Sequence, residues 1–119
     1  MRAIKFRGKR MNDNEWVYGY LGKDYSERCI ISNYLNAPNE AWEVISETIG
    51  QFTGLLDKNG KEIYEGDIIE WMDSDFEIRR DIVKWMNGGL CACNSQYTIG
   101  SYSQIEMIGN IHDNPELIN

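Results

Sequence analysis

Few residues in this chain have the chemistry that catalysis requires. His112 is the only histidine among the 119 residues, and the segment from Ile111 to Pro115 is typical of a strand that ends in an Asx/Pro turn. A histidine that acts as a base needs a nucleophile beside it, and the sequence identifies none. We therefore predict no catalytic residue and no enzymatic activity. Catalysis would need a pocket that joins His112 to a carboxylate such as Asp113 or Asp67.

The cysteines do not predict a metal site. Cys91 and Cys93 would lie on the same side of a strand, because side chains two residues apart share a face. Zinc, however, takes four ligands and usually uses Cys-x-x-Cys spacing, and the remaining candidates, Cys29 and His112, are distant in the sequence. We predict packed thiols, no metal and no cofactor.

The acidic run from Asp73 to Glu77 resembles the opening of a calcium-binding loop. Such a loop needs glycine at its sixth position and glutamate at its twelfth, and the sequence has Ile78 and Lys84 there. We therefore interpret this run as a solvated acidic turn.

Charge is divided unevenly along the chain. The first ten residues hold five basic and no acidic side chains. The other 109 residues hold 7 Lys and Arg against 19 acids, so charges of +5 and −12 make up the net charge of −7. The plain interpretation is that the basic first strand pairs beside the acidic stretch 62–81, in exposed ion pairs worth about 0.2–1 kcal/mol each.

Two functional interpretations of this charge division stay open. In one, the basic first strand contacts nucleic acid and the aromatic residues of the next strand form a stacking platform, although the overall acidity repels phosphate. In the other, the acidic face imitates a nucleic-acid backbone and occupies a basic groove of a host protein. The residues of the candidate binding site are Lys5, Arg7, Lys9, Trp16, Tyr18 and Tyr20.

Cysteine usage and hydropathy indicate the compartment. Three cysteines are an odd set, and no apolar segment follows Met1 and Arg2, so we expect neither a disulfide framework nor a signal peptide. The expected compartment is the cytoplasm. We expect no membrane association, because no apolar run approaches the ~20 residues that span a bilayer.

Turn signals predict where the strands lie. The tetrapeptide Asp57-Lys58-Asn59-Gly60 predicts a hairpin that needs a left-handed residue. A second reversal at Glu65-Gly66-Asp67 makes Leu55–Trp71 a three-stranded meander.

Segment Asn39–Thr48 is compatible with a helix or a strand. In Phe76–Trp85 the apolar residues change parity, which predicts a bulge or two strands. The other β-rich runs are Ala3–Phe6, Glu15–Leu21, Cys29–Ile31, Val44–Phe52 and Ile105–Ile111.

These runs together predict the fold class. Many short strands separated by turns favour a mainly β, small antiparallel barrel-like domain with at most one or two short helices. The length fits a single domain over residues 1–119.

Several fragments together resemble the YopX family, from the first strand to the last few residues. The most specific is the central block GQFTGL followed by DKNGKEIYEGDII. The other fragments are Phe6-Arg7-Gly8-Lys9, Trp16-Val17-Tyr18-Gly19 and Ile108 to Leu117, which reads IGNIHDNPEL. The resemblance implies a small, mainly β protein encoded by bacteriophages and prophages, mostly of Gram-positive bacteria, with no established activity. It supplies no catalytic residue.

The resulting functional hypothesis is a noncatalytic phage accessory protein in the cytoplasm of the host bacterium. We expect it to bind an unidentified host or phage protein, or to form a homo-oligomer through an edge strand or an aromatic surface. Nucleic-acid binding through the basic first strand is the alternative.

Overall fold

The computed structural model describes residues 5–34, 37–73, 75–86, 89–92 and 105–118. Its backbone is mainly β, and the strand pairs described are antiparallel. The chain divides into two compact units, Met1–Phe52 and Thr53–Asn119. The mainly β prediction is confirmed, while the single domain over 1–119 stays a prediction.

The first unit is built from consecutive antiparallel strands. Their spatial order is β4-β3-β2-β1-β5, and a three-residue 3-10 turn at Ser46–Thr48 precedes the last of them in sequence. The strands are β1 (Phe6–Lys9), β2 (Trp16–Lys23), β3 (Cys29–Tyr34), β4 (Ala37–Glu43) and β5 (Gly50–Leu56). β5 continues across the boundary at Phe52 into the second unit.

One face of this sheet carries the core of the first unit. Val17, Ile31 and Val44 are buried together, and partly buried Phe6 and Trp42 pack against them. Burying such aliphatic side chains contributes about 1.5–3 kcal/mol each. Because side chains alternate along a strand, the neighbours of these residues in β1 and β2 lie on the opposite face.

Glycine is required where β2 changes neighbours. β2 pairs with β1 up to Gly19 and with β3 from Tyr20 onwards. Gly19 has φ +156°, and a Cβ there would lie 2.2 Å from the carbonyl oxygen of Ser32. The close approach of β3 therefore excludes any side chain at this position.

The second unit contains a four-stranded antiparallel sheet in the order β10-β7-β8-β9. Its strands are β7 (Asp67–Met72), β8 (Ile78–Met86), β9 (Gly89–Ala92) and β10 (Glu106–Asn110). The short strand β6 (Glu62–Tyr64) pairs with β5, and a 3-10 turn lies at Pro115–Leu117. Its core consists of Ile63, Ile69, Trp71, Val83 and Ile105. Neither sheet closes into a barrel over the described residues.

Three hairpins share one turn design. In each, an Asp carboxylate accepts the backbone N–H groups two and four residues later, and the residue three positions later is left-handed. The turns are Asp24–Arg28, Asp57–Lys61 and Asp73–Glu77, and their left-handed residues are Glu27, Gly60 and Phe76. The hairpin predicted around Asp57 is therefore confirmed. The three-stranded meander predicted over Leu55–Trp71 is wrong, because β6 pairs with β5 whereas β7 belongs to the other sheet.

Other predicted strand limits are wrong. The first strand was expected over Ala3–Phe6, but β1 continues to Lys9; the predicted start at Ala3 lies outside the described residues. Val44–Phe52 is broken by the 3-10 turn before β5 begins at Gly50. Of the two alternatives for Asn39–Thr48, the structure has strand up to Glu43.

Both alternatives predicted for Phe76–Trp85, a bulge and two strands, are also wrong, because β8 is one unbroken strand over Ile78–Met86. The β7–β8 register runs without a shift from Ile68↔Ile82 to Met72↔Ile78. The parity change has another cause, because Phe76 and Ile78 are exposed at the hairpin end and are not part of the core. A register shift lies in the β10–β7 pair, between Met107 and Gly109.

Candidate interaction surface

The six predicted binding residues lie on one face of β1 and β2. Lys9 is directly opposite Trp16, and Arg7 is directly opposite Tyr18. The backbone N–H of Phe52 donates to the carbonyl of Lys5 at 2.7 Å, which continues the β1–β5 pairing to that residue. By strand alternation, Lys5 and Tyr20 share the face of the other four. We call these six residues the cationic-aromatic face.

Cations and aromatic rings on this face contact one another. The guanidinium carbon of Arg7 lies 4.6 Å from the centroid of the Trp16 ring, and the Lys9 ammonium lies 5.5 Å from the same ring. The Lys5 ammonium lies 5.9 Å from the ring of Phe52. Such contacts are worth about 0.5–2 kcal/mol, the larger figure applying when the cation is desolvated.

Exposure divides this face into two parts. Arg7 is only 5% exposed, whereas Tyr18 and Tyr20 are 44% and 38% exposed. The buried guanidinium is therefore part of the packing. Lys5, Lys9 and Trp16 are half-buried, so the two tyrosines are the most accessible residues of this face.

A second exposed surface, which was not predicted from the sequence, lies at the end of the β7–β8 hairpin. Met72 and Ile78 are directly opposite each other across the two strands, and both are exposed. Phe76, at the turn between them, is 82% exposed. We call residues 72, 73 and 75–78 the β7–β8 tip. The parity change in Phe76–Trp85 was the signal that could have revealed it.

Charge at this tip is partly neutralised. The Asp73 carboxylate accepts a hydrogen bond from Arg79 Nε at 2.7 Å. This bond and the backbone N–H groups of Glu77 and Asp75 hold the pKa of Asp73 below its ordinary value. Asp75 and Glu77 are themselves exposed, so the tip remains acidic.

Two buried carboxylates in the second unit have opposite pKa shifts. Burial alone would raise the pKa of Asp57, but backbone N–H groups of Met107, Lys61 and Asn59 together hold it below the ordinary value. Burial raises the pKa of Asp81, and neither the Trp71 Nε1–H donor at 2.9 Å nor Arg79 reverses this. Hydrogen bonds thus stabilise the charged form of the Asp57 carboxylate, whereas burial destabilises the charged form of Asp81.

The segment around His112 forms the predicted Asx turn. The side-chain oxygen of Asn110 accepts the backbone N–H groups of His112 and Asp113, both at 2.9 Å. The Asn114 N–H donates to the carbonyl of Asn110 at 2.8 Å. A Cβ at Gly109 would lie 2.6 Å from Asn114 Oδ1. These contacts give the GNIHDN motif a structural role, and the absence of enzymatic activity stays a prediction.

The metal prediction concerns residues that are only partly described. Cys91 lies in β9, whereas Cys93 is outside the described residues. Within the described ranges, no group of three or more His, Cys, Asp and Glu residues could hold a metal ion. In the same part of the chain, no helix has the length and apolar character needed to cross a membrane.

Fold and surface together define a small, mainly β protein with an exposed aromatic face. The model of the YopX protein family matches residues 5–119, and the chain therefore belongs to the YopX family. A similar solved structure is that of protein EF1440 from Enterococcus faecalis, with 26% identity, a TM-score of 0.65 and coverage of 100% of both chains. No curated protein matches the chain.

Proposed function

We propose that this YopX-family protein is a noncatalytic accessory protein, encoded by a phage or prophage, that binds another protein in the cytoplasm of the host bacterium. The expected partner is a host or phage protein, with a second copy of the chain as the homo-oligomeric case. Family membership supports the phage origin, because the family resemblance implies it.

The observation that carries this proposal is the exposure of Tyr18 and Tyr20 on the cationic-aromatic face. Tyrosine is enriched in protein interfaces, where it adds a large contact area at a low cost in side-chain entropy. On the same face, Arg7 and Lys9 pack against the ring of Trp16, which precedes Tyr18 on the same strand. A partner that binds there would meet a preorganised surface, which lowers the entropic cost of association.

Nucleic-acid binding is the second candidate, favoured by the basic residues of the same face. A phosphate contact needs an accessible cation, and Arg7 is buried. Bases that stack on Trp16 would share its ring with Arg7 and Lys9. The net charge of −7 repels phosphate as well. These observations favour protein binding over nucleic-acid binding.

Capture with tagged protein tests the proposal. Wild type, the double variant Tyr18→Ser/Tyr20→Ser and the control Tyr25→Ser are each incubated with nuclease-treated lysate of a Gram-positive host. Tyr25 is a matched control because it is a fully exposed tyrosine in the Asp24–Arg28 turn. We expect a specific protein to be retained by wild type and Tyr25→Ser and lost by the double variant. Equal recovery with all three proteins would contradict the assignment of this face.

A DNA-binding titration tests the second candidate function, nucleic-acid binding. Labelled single-stranded DNA is mixed with wild type, Lys5→Glu/Lys9→Glu and the exposed-lysine control Lys58→Glu at about 50 and 200 mM salt. Nucleic-acid binding predicts affinity that falls steeply with salt and is lost only in the double variant. We expect no such binding with any of the three proteins.

A further inference from the structure

We propose that the β7–β8 tip is a docking site for a protein partner that presents an apolar pocket rimmed by basic side chains. The inference extends the proposed function of protein binding to a second surface. It is carried by contacts and charges separate from those of the cationic-aromatic face.

The apolar part of the tip is a compact group. Met72 and Ile78 are a directly opposed cross-strand pair, and such pairs have Cβ atoms about 4.5–5.5 Å apart on one face of a hairpin. Both side chains are exposed, and Phe76 between them is more so. Apolar side chains at a protruding hairpin end match the anchors that fill pockets in protein interfaces.

Two of the three turns of this design have a non-glycine residue at the left-handed position, Glu27 and Phe76, both with φ +63°. Of the two, only Phe76 places an apolar ring there, and that ring is 82% exposed. Asp73 and Asp57 organise their turns through the same backbone hydrogen bonds, and Phe76 and Gly60 occupy the same left-handed position, with φ +63° and +82°. Glycine adopts this conformation without strain, whereas an aromatic residue does not. With its ring in solvent, Phe76 returns little packing energy for that strain. Backbone strain of this kind is found more often at functional sites, and at Phe76 it coincides with an exposed apolar ring.

Charge selects the kind of partner. Asp75 and Glu77 flank Phe76 and are exposed, while Asp73 is paired with Arg79. This acidic surround complements a pocket rimmed by Lys and Arg. It repels an anionic lipid surface, and it opposes a symmetric contact in which two copies of the tip would face each other.

Photocrosslinking in the full-length protein tests this inference. Phe76 is replaced by the photoreactive analogue p-benzoyl-phenylalanine, and Lys58 in the equivalent turn is replaced in the same way as a control. After irradiation in host lysate, we expect one protein adduct from position 76 and none from position 58. The crosslinked peptide of the partner should map to an apolar pocket with Lys or Arg at its edge.

The purified partner then allows a quantitative test. Phe76→Gly should raise Kd at least tenfold while the denaturant midpoint of unfolding rises, so a folding defect cannot explain the loss. Asp75→Asn/Glu77→Gln should weaken binding at low salt and reduce its salt dependence. Unchanged Kd in Phe76→Gly would overturn the inference.

Three other results, two from the crosslinking and one from vesicle cosedimentation, would also overturn it. These are no adduct at position 76, an adduct with a second copy of the chain, or cosedimentation with phosphatidylcholine vesicles that Phe76→Gly abolishes. If position 76 gives no adduct while the Tyr18/Tyr20 capture succeeds, only this inference fails. If both experiments give no partner, the proposed function fails as well.

Discussion

At the residue scale, aspartate side chains stabilise several turns of this protein by accepting backbone hydrogen bonds. Asp57 satisfies two backbone N–H groups in its own turn through Oδ1 and one from Met107, on β10, through Oδ2. One carboxylate thereby joins strands that are distant in sequence. The charged form can accept all three bonds because it has acceptor sites on both oxygens.

Asp57→Asn should lower the free energy of unfolding by about 1–3 kcal/mol. An amide retains only one acceptor oxygen, so the buried N–H of either the turn or Met107 loses its partner. Urea unfolding at pH 7 measures the effect, and Asp75→Asn, at an exposed carboxylate, should change stability by no more than about 0.5 kcal/mol. Equal stability of Asp57→Asn and wild type would contradict the role of this carboxylate.

The pH dependence of this difference has a definite sign. The folded pKa of Asp57 is depressed, so its contribution is present above the ordinary pKa and is lost as pH falls through the folded pKa. The gap between wild type and Asp57→Asn should therefore narrow as the pH is lowered below about 4.

Asp81 predicts the opposite dependence. Its folded pKa is raised by burial, so its contribution is largest below the ordinary pKa and is lost as pH rises through the folded pKa. Asp81→Asn keeps an oxygen that can accept the Trp71 N–H and removes the desolvated charge. We expect this variant to be more stable than wild type at pH 7, with the advantage shrinking toward pH 4. Urea unfolding across this range measures it, and a variant less stable at pH 7 would contradict the assignment.

At the element scale, the hairpin turns show which local signals carry structure. Asp57 and Gly60 predicted their hairpin because both act on their own backbone. The same design at Asp73 was not recognised, because Phe76 occupies a position where glycine or asparagine is expected. Phe76 and Ile78 are two residues apart, as core-facing residues of a strand are, although both are exposed. This spacing led to the wrong prediction of a bulge or two strands. An alternating apolar pattern therefore predicts which residues are buried only in strands that have one face packed against the core.

Reciprocal substitutions test the shared turn design. Phe76→Gly should raise the free energy of unfolding by about 0.5–1 kcal/mol, since relief of left-handed strain exceeds the added entropy of glycine in the unfolded chain. Gly60→Ala should lower it by about 1 kcal/mol. A Cβ at Gly60 meets no atom within 4 Å, so the cost there is conformational. Changes of the same sign in both variants would contradict this account of the turns.

At the scale of the whole molecule, the basic and acidic side chains that are divided unevenly along the sequence have different surroundings in the structure. In the described part of the first unit, Lys5, Arg7 and Lys9 lie against aromatic rings. The acids of the second unit include the structural Asp57, the buried Asp81 and the exposed residues of the β7–β8 tip. Formal charge along a sequence therefore did not reveal which charges a partner can reach.

The candidate site was predictable only in part. Strand alternation and the expected pairing of neighbouring strands were enough to place Trp16, Tyr18 and Tyr20 beside the basic residues. The burial of Arg7 was not predictable, because it depends on packing against Trp16 and on the other residues around it. Burial of this kind is set by tertiary contacts, which one sequence does not display.

The central claim is that this YopX-family protein acts by binding another protein through Tyr18 and Tyr20. Calorimetric titration of the captured partner into wild type, Tyr18→Ser/Tyr20→Ser and Tyr25→Ser tests it most directly. We predict that the double variant raises Kd at least tenfold and that Tyr25→Ser leaves it unchanged, because interface energy concentrates in a few aromatic anchors. The same Kd for all three proteins would contradict the claim.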